Sequence, residues 1–412
     1  MSLSLIVFLM PIGVTAQEKP PDDKGQSQTP QTPQTPHPTH SSHNPEIRAE
    51  SGATSQSTFA LPFKKSWQYL TDSGPDDLPP SIDKSRVYLP LEKGEVICLD
   101  IHSGALLWSS ELGGWISLPI AVGPKAIYLF AEKRSPDQSR SGASISALDP
   151  VTGLTLWAKD YSSVFTSPAV LENDRLYAGA ADGAFYAIST TNGDVVWKAP
   201  TGDVVRGKPL VTDTDVYFGS DDGAMREVEI AHGTEVWKYQ TSGKITGRPV
   251  LEDHHLYFGS GDGSVYCADL EKKKLKWRYR TGAAIEASVA IVGNRVLAGS
   301  LDNFFYALSK VTGDHIWKRR MDERVTCDPL IDGDTALVAS FRGDHIAMFL
   351  SGDGRRVNYY ELRRGEALLA TPVYSDGALF LRTDRGLVVA VASSAERLEH
   401  NRNSKEAIKK VP

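Results

Sequence analysis

Five tryptophans, Trp157, Trp197, Trp237, Trp277 and Trp317, stand forty residues apart, and Trp108 and Trp67 extend the series toward the N-terminus at spacings of 49 and 41. A repeat of that length means one supersecondary unit copied along the chain, each copy unable to bury its apolar face without its neighbours. The text around each Trp agrees. Val216-Tyr-Phe-Gly-Ser-Asp-Asp-Gly precedes Trp237, Leu256-Tyr-Phe-Gly-Ser-Gly-Asp-Gly precedes Trp277, and Arg295-Val-Leu-Ala-Gly-Ser precedes Trp317.

Each copy reads as short strands. Leu176-Tyr-Ala-Gly and Val216-Tyr-Phe-Gly are aromatic and β-branched runs, Ala184-Phe-Tyr-Ala-Ile starts a second, and Val195-Val-Trp a third. Asp182-Gly183, Asp222-Gly223 and Asp262-Gly263 mark tight hairpins; Asn192-Gly193, His232-Gly233 and Thr312-Gly313 mark the reversal four residues before each Trp. The Asp of each pair has a local reason to be there as a turn former and is not read as a metal ligand. A fourth strand is expected between each Trp and a proline (Pro168, Pro209, Pro249, Pro329, Pro372) where the next unit begins. Four strands in about forty residues is the size of a propeller blade. After Trp317 the series continues to Asn358, with Gly354 in place but no indole, and then to a unit starting at Ala378 that ends near Ser394 without a Trp. Phe63 to Leu70, carrying Trp67, lacks preceding partners and is expected to complete that last unit. The fold expected is all-β: an eight-bladed β-propeller of four-stranded blades, closed by the N-terminal strand joining the last blade, which removes exposed sheet edges.

The repeat resembles that of the PQQ-like β-propeller family, whose motif A-x-D-x-x-T-G-x-x-x-W is met in full by Ala147, Asp149, Thr152, Gly153 and Trp157. Other copies keep most of it: Cys98, Asp100, Ser103, Gly104 and Trp108; Ala187, Gly193 and Trp197; Ala307, Thr312, Gly313 and Trp317. Departures are Glu227 at the Ala position of the Trp237 copy and Lys272-Lys273 for Thr-Gly in the Trp277 copy. The resemblance covers roughly residues 60 to 395 and speaks to fold; function lives in sites grafted on folds. Periodic indoles read as packing between blades, since a binding platform would not need the same residue in every copy. Trp115, outside the series, stays open.

The chain divides into a signal peptide (1–16), a Pro/Thr/Gln-rich linker (17–57), the propeller (58–395) and a charged C-terminal tail (396–412). Leu3 to Met10 is apolar but too short to span a bilayer, and Val14-Thr15-Ala16 offers the small residues of a cleavage site. A periplasmic or secreted protein is expected, with no lipobox Cys and no transmembrane segment. Tandem Gln-Thr-Pro triplets from Gln28 to Pro36 cannot bury enough apolar area to fold, and His37, His40 and His43 within that stretch read as part of a solvated tether, not a metal tract. A net charge of -6 and a pI near 6.0 show neither a nucleic-acid footprint nor a polybasic membrane patch. Cys98 and Cys267 occupy the Ala position and read as small buried residues; Cys327 precedes Pro329 by two, and three scattered thiols suggest neither zinc nor a disulfide.

Quinoprotein dehydrogenases share the repeat and, by that resemblance, would hold pyrroloquinoline quinone against a vicinal Cys pair with calcium ligands and a catalytic Asp. No two cysteines here are adjacent, and the chain has neither G-x-S-x-G nor H-E-x-x-H. No catalytic, cofactor-binding or metal-binding residue is assigned, and no enzyme activity or cofactor is expected.

One column does suggest contact with a partner or ligand. Four and two residues before each proline the side chains are apolar or small (Val205 and Gly207, Ile245 and Gly247, Val325 and Cys327). The alternate positions, expected on the opposite face, read Arg206 and Lys208, Thr246 and Arg248, Glu286 and Ser288, Thr326 and Asp328. If that face borders the central funnel, a basic sector (Arg206, Lys208, Arg248) is followed by an acidic one (Glu286, Asp328); mutually paired or solvated charges are the competing reading. Within the repeat family the chain is similar to the outer-membrane assembly factor BamB group, whose scaffold function rests on loops of adjacent blades, one with an apolar pair followed by Arg-Gly. Val204-Val205-Arg206-Gly207 looks like that segment, and the resemblance carries Val205 and Arg206 as partner contacts; where the next blade of that group brings acidic residues, Lys244-Ile245-Thr246 stands here. The expected function is therefore a non-catalytic propeller scaffold, a monomer binding a protein partner such as an outer-membrane barrel-assembly subunit and no nucleic acid. The alternatives are a quinone-dependent dehydrogenase and a propeller binding a small ligand or polysaccharide through the funnel or the long hairpin from Glu132 to Ser141.

Overall fold

The motif's spacing becomes geometry in the pairing of the two outer strands of each blade. The Ala position faces the Trp directly in register: Ala187 opposite Trp197, Cys98 opposite Trp108, Cys267 opposite Trp277, Ala307 opposite Trp317. A small residue there leaves room for the indole, and the register slips by one residue immediately beside it. That bulge pushes the residue before Trp to the surface, as with Leu107, Val196 and Ile316. The computed structural model describes residues 57, 59, 61–71, 77–134, 140–340 and 342–392. The signal peptide, all but the last residue of the linker, the C-terminal tail and the tip of the long hairpin lie outside them.

The described strands form eight sheets. Blade 1 runs from Ser81 to Glu111, blade 2 from Trp115 to Tyr161, blade 3 from Val170 to Pro200 and blade 4 from Leu210 to Gln240. Blade 5 runs from Val250 to Arg280, blade 6 from Ala290 to Arg320 and blade 7 from Leu330 to Glu361. Blade 8 combines Val373–Ser375, Ala378–Thr383 and Gly386–Ala392 with Phe63–Leu70, which pairs antiparallel with Gly386–Ala392. The ring is thus an eight-bladed β-propeller sealed by its N-terminal strand. In blades 1 and 3 to 7 the strands follow in chain order, and the innermost strands of blades 1 and 2 (Ser81–Ile82 and Ala121–Val122), 2 and 3, 3 and 4, and 6 and 7 touch each other, which places them at the hub.

One expectation is corrected here. The Trp lies within the fourth, outermost strand, as Trp197 does in Val195–Pro200; no strand separates it from the following proline, and the hub strand begins after that proline. Proline has no N–H to donate and holds the preceding residue extended, so the stretch before it runs alongside its neighbours through isolated bonds such as Asp221 N to Val204 O (2.8 Å) and Ile245 N to Ser220 O (3.1 Å).

The core is distributed between blades. Trp197 is buried with Tyr177, Phe185, Val205 and Phe218, its Nε1 donating to Ile230 O of blade 4 at 3.0 Å. Trp67, Trp108, Trp157, Trp277 and Trp317 make the same bond into the next blade. Beneath each of these six indoles lies the glycine of the next blade's outer turn. Gly233 has φ +72°, and a Cβ on it would stand 2.5 Å from Trp197. Trp and Gly of the motif are therefore two halves of one joint, contributed by successive blades.

Candidate functional site

The segments entering the hub strands form a ring. Gly207 and Gly247 allow close approach: a Cβ would stand 2.9 Å from Thr246 O at the first and 2.5 Å from Ala287 O at the second. Hydrogen bonds tie the segments side by side. Thr166 Oγ1 donates to Val205 O (2.6 Å), Thr246 Oγ1 to Glu286 O (3.0 Å), Arg248 N to Ser288 Oγ (2.9 Å) and Ser288 N to Asp328 Oδ1 (2.7 Å). Equivalent residues of successive blades are thereby set at one level around the hub.

The expected alternation holds on this ring. Val205, Gly207, Ile245 and Gly247 are buried, whereas Arg206, Lys208 and Arg248 are exposed and Glu286 and Asp328 half-buried. Val205 is consequently not a surface residue: it is fully buried against Gly179 and within the blade 3–4 core. Its place in the contact set is corrected to one of support for Arg206. Arg206 is itself engaged, its Nε donating to Asp221 Oδ2 of blade 4 at 2.8 Å. Sequence reasoning missed this pairing because Asp221, one residue before the turn-forming Asp222, carries no spacing that ties it to Arg206.

Lys208 and Arg248 differ from Arg206. Neither has a salt-bridge partner among the described residues. Both side chains are exposed to solvent at adjacent hub-entry segments. Crowding pulls the Lys208 pKa down, and the neighbouring Arg248 charge adds to that; Asp328 acts in the opposite sense. Crowding likewise lowers Arg248, again against Asp328. Two cations and a carboxylate from three blades thus share one electrostatic environment.

Elsewhere, Trp115 is about a third exposed at the start of blade 2, paired with the strand Ile127–Arg134. A groove of about 750 Å³ between blades 2 and 3 is lined by Tyr128, Leu156, Trp157 and Leu171 with Lys125 and Asp174. The three cysteines are buried in separate parts of the ring; burial pushes Cys98 up to about 12 and Cys267 and Cys327 to about 11, so all are thiols at neutral pH. Among the described residues no three His, Cys, Asp or Glu side chains converge as metal ligands. Among those residues, too, no helix is long and apolar enough to cross a membrane.

The family profile of the outer membrane protein assembly factor BamB matches residues 141–247 and 242–411, well over half of the chain. The chain belongs to the BamB family. Among solved structures, BamB from Moraxella catarrhalis superposes with a TM-score of 0.67 at 19% identity, over 80% of this chain and 99% of that one. The computationally designed Ika8 protein gives 0.68 at 15% identity over 80% and 99%, and a europium-containing methanol dehydrogenase 0.62 at 12% over 77% and 84%. At such identities the likeness is one of fold: a BamB-type ring is built by scaffold, designed and catalytic propellers alike. No curated protein matches the chain.

Proposed function

We propose that this BamB-family chain is an exported, non-catalytic scaffold that works as a single propeller and receives a protein partner, a subunit of outer-membrane barrel assembly, on the hub face that carries Arg206, Lys208, Arg248, Glu286 and Asp328. The observation that carries the reading is the ring of bonded entry segments, which presents charged side chains from consecutive blades on a rigid backbone. A preorganised surface of that kind loses little entropy on binding, and its charge pattern selects a partner. Family membership supplies the class of partner. Signal-peptide cleavage and a periplasmic address belong to the same proposal, and fractionation with N-terminal sequencing of the mature chain checks them.

Affinity capture from envelope extracts, read by mass spectrometry, tests the function. The unaltered chain is expected to recover a barrel-assembly subunit, and charge reversal of Arg206 and Arg248 together to weaken that capture by about 1 to 3 kcal/mol, roughly 5- to 150-fold. Recovery of no such subunit would sink the scaffold reading; unchanged recovery with the reversed variant would move the contact off the hub.

A further inference from the structure

In blades 3 to 8 six positions stand just before the proline that leads into the hub strand (Val289 in blade 6), and they are not alike. Ser167, Ser288, Asp328 and Thr371 are short, whereas Lys208 and Arg248 are long cations on neighbouring segments. Each cation sits between a glycine and a proline, Gly207-Lys208-Pro209 and Gly247-Arg248-Pro249. The proline holds the residue before it extended, and the glycine lets the next segment pack against the backbone, so the two side chains leave adjacent, fixed main-chain positions.

Their charges are not balanced locally. Arg206, one turn of the alternation away, is bonded to Asp221. Lys208 and Arg248 have no ion pair among the described residues, and Asp328, the carboxylate whose field reaches both, already accepts from Ser288 N through Oδ1. Two cations leaving neighbouring backbone positions repel each other, and an anion that joins them relieves that repulsion. A guanidinium offers a planar fork of N–H donors and an ammonium a compact charge, together suited to a group with two or more anionic oxygens.

We propose that Lys208 and Arg248 form an oxyanion-binding site at the hub, taking a phosphate-class ion or the carboxylates of an acidic peptide between them. The site does not depend on the scaffold reading, because it is measured on the isolated chain whether or not a barrel-assembly subunit is captured. A free cation or metal ion is disfavoured there by the same two charges.

Isothermal titration calorimetry of the purified chain with sodium pyrophosphate and, separately, with a hexaglutamate peptide tests it. Either titrant is expected to bind, and K208Q with R248Q in one chain to weaken binding by about tenfold or more. K84Q, altering an exposed cation in the turn between the first two strands of blade 1, is expected to change affinity less than about twofold. Pyrophosphate binding identifies a free ion as the occupant; binding of the peptide alone identifies an acidic protein segment. Both side chains are exposed, so the variants keep the ring intact, which circular dichroism verifies. No binding of either titrant, or equal binding by the double variant, overturns the proposal.

Discussion

The junction between blades 3 and 4 and the seam between blades 7 and 8 solve the same packing problem with different residues. At the first, Trp197 lies on Gly233 and donates to Ile230 O in the outer turn of blade 4. At the seam no such turn exists, because the outer strand of blade 8 is supplied by the N-terminal segment. Asn358 stands where the indole would, and its Nδ2 donates to Phe59 O (3.3 Å) and Leu61 O on the incoming chain. Phe59 supplies the apolar bulk: it is fully buried, edge-on to Tyr374 at 4.6 Å, in a cluster with Met348, Leu362, Leu379 and Val388. Ser57 anchors the same stretch by donating to Asp332 Oδ2 at 3.0 Å. The lesson is that the motif's Trp is replaced where the facing backbone comes from the chain's other end and no outer turn lies beneath it.

That equivalence is broken or confirmed first by truncating the aromatic plug at each place. Phe59→Ala and Trp197→Ala are both expected to destabilise by about 3 to 5 kcal/mol, since each removes a large buried ring and leaves a cavity between blades. Chemical denaturation followed by intrinsic fluorescence measures both, with circular dichroism for the variant lacking the Trp. A cost under about 1 kcal/mol for Phe59→Ala would mean that the seam is held by strand pairing alone.

A second contrast lies one blade further round. The turn of blade 5 that meets Trp237 has Lys273 in place of glycine, at φ 51°, and the residue opposite Trp237 is Glu227 instead of a small one. The two departures meet: Lys273 Nζ lies 2.7 Å from Glu227 Oε2, while Tyr217 donates to Oε1 at 3.0 Å. An ion pair across the junction thus accompanies the loss of the glycine. The pair is expected to be coupled, with Glu227→Ala or Lys273→Gly alone costing about 1 to 3 kcal/mol and the double variant, which restores the family residues, costing less than the sum by about 0.5 to 3 kcal/mol. A double-mutant cycle by urea denaturation reads the coupling, and strict additivity would show two unrelated substitutions.

These junctions explain what the sequence disclosed and what it hid. The ring and its closure were legible because Trp, its small cross-strand partner and the next blade's glycine recur at fixed spacing, each needed for the same joint. The alternation of buried Val205 and Ile245 with exposed Arg206 and Arg248 was legible for the same reason, period-two geometry on either side of a proline. Pairings outside the repeat were not. Asp221 gave no sign that it would bind Arg206, and the Glu227–Lys273 pair appeared only as two separate departures 46 residues apart. Phe59 falls at the very start of the expected propeller (58–395), beside a polar stretch, where nothing local marks it as a buried plug. Order within the blade was misread because proline marks the start of the hub strand, not the end of a strand after Trp.

The smallest effect separates hydrogen bonding from bulk at the seam. Asn358→Ala removes the donor to Phe59 O and Leu61 O but leaves Phe59 in place, and with the strand beside it able to admit water the expected loss is about 1 kcal/mol. Asn358→Trp is the sharper case. It restores the repeat's residue at a place with no glycine turn beneath it, where Phe59 already fills the space, so overpacking is expected to cost about 1 to 3 kcal/mol instead of stabilising. Thermal melts of the two variants beside the parent decide between these views. A gain on introducing Trp would mean that the incoming segment can shift to accommodate an indole, and that the seam is an ordinary junction whose Trp happened to be lost.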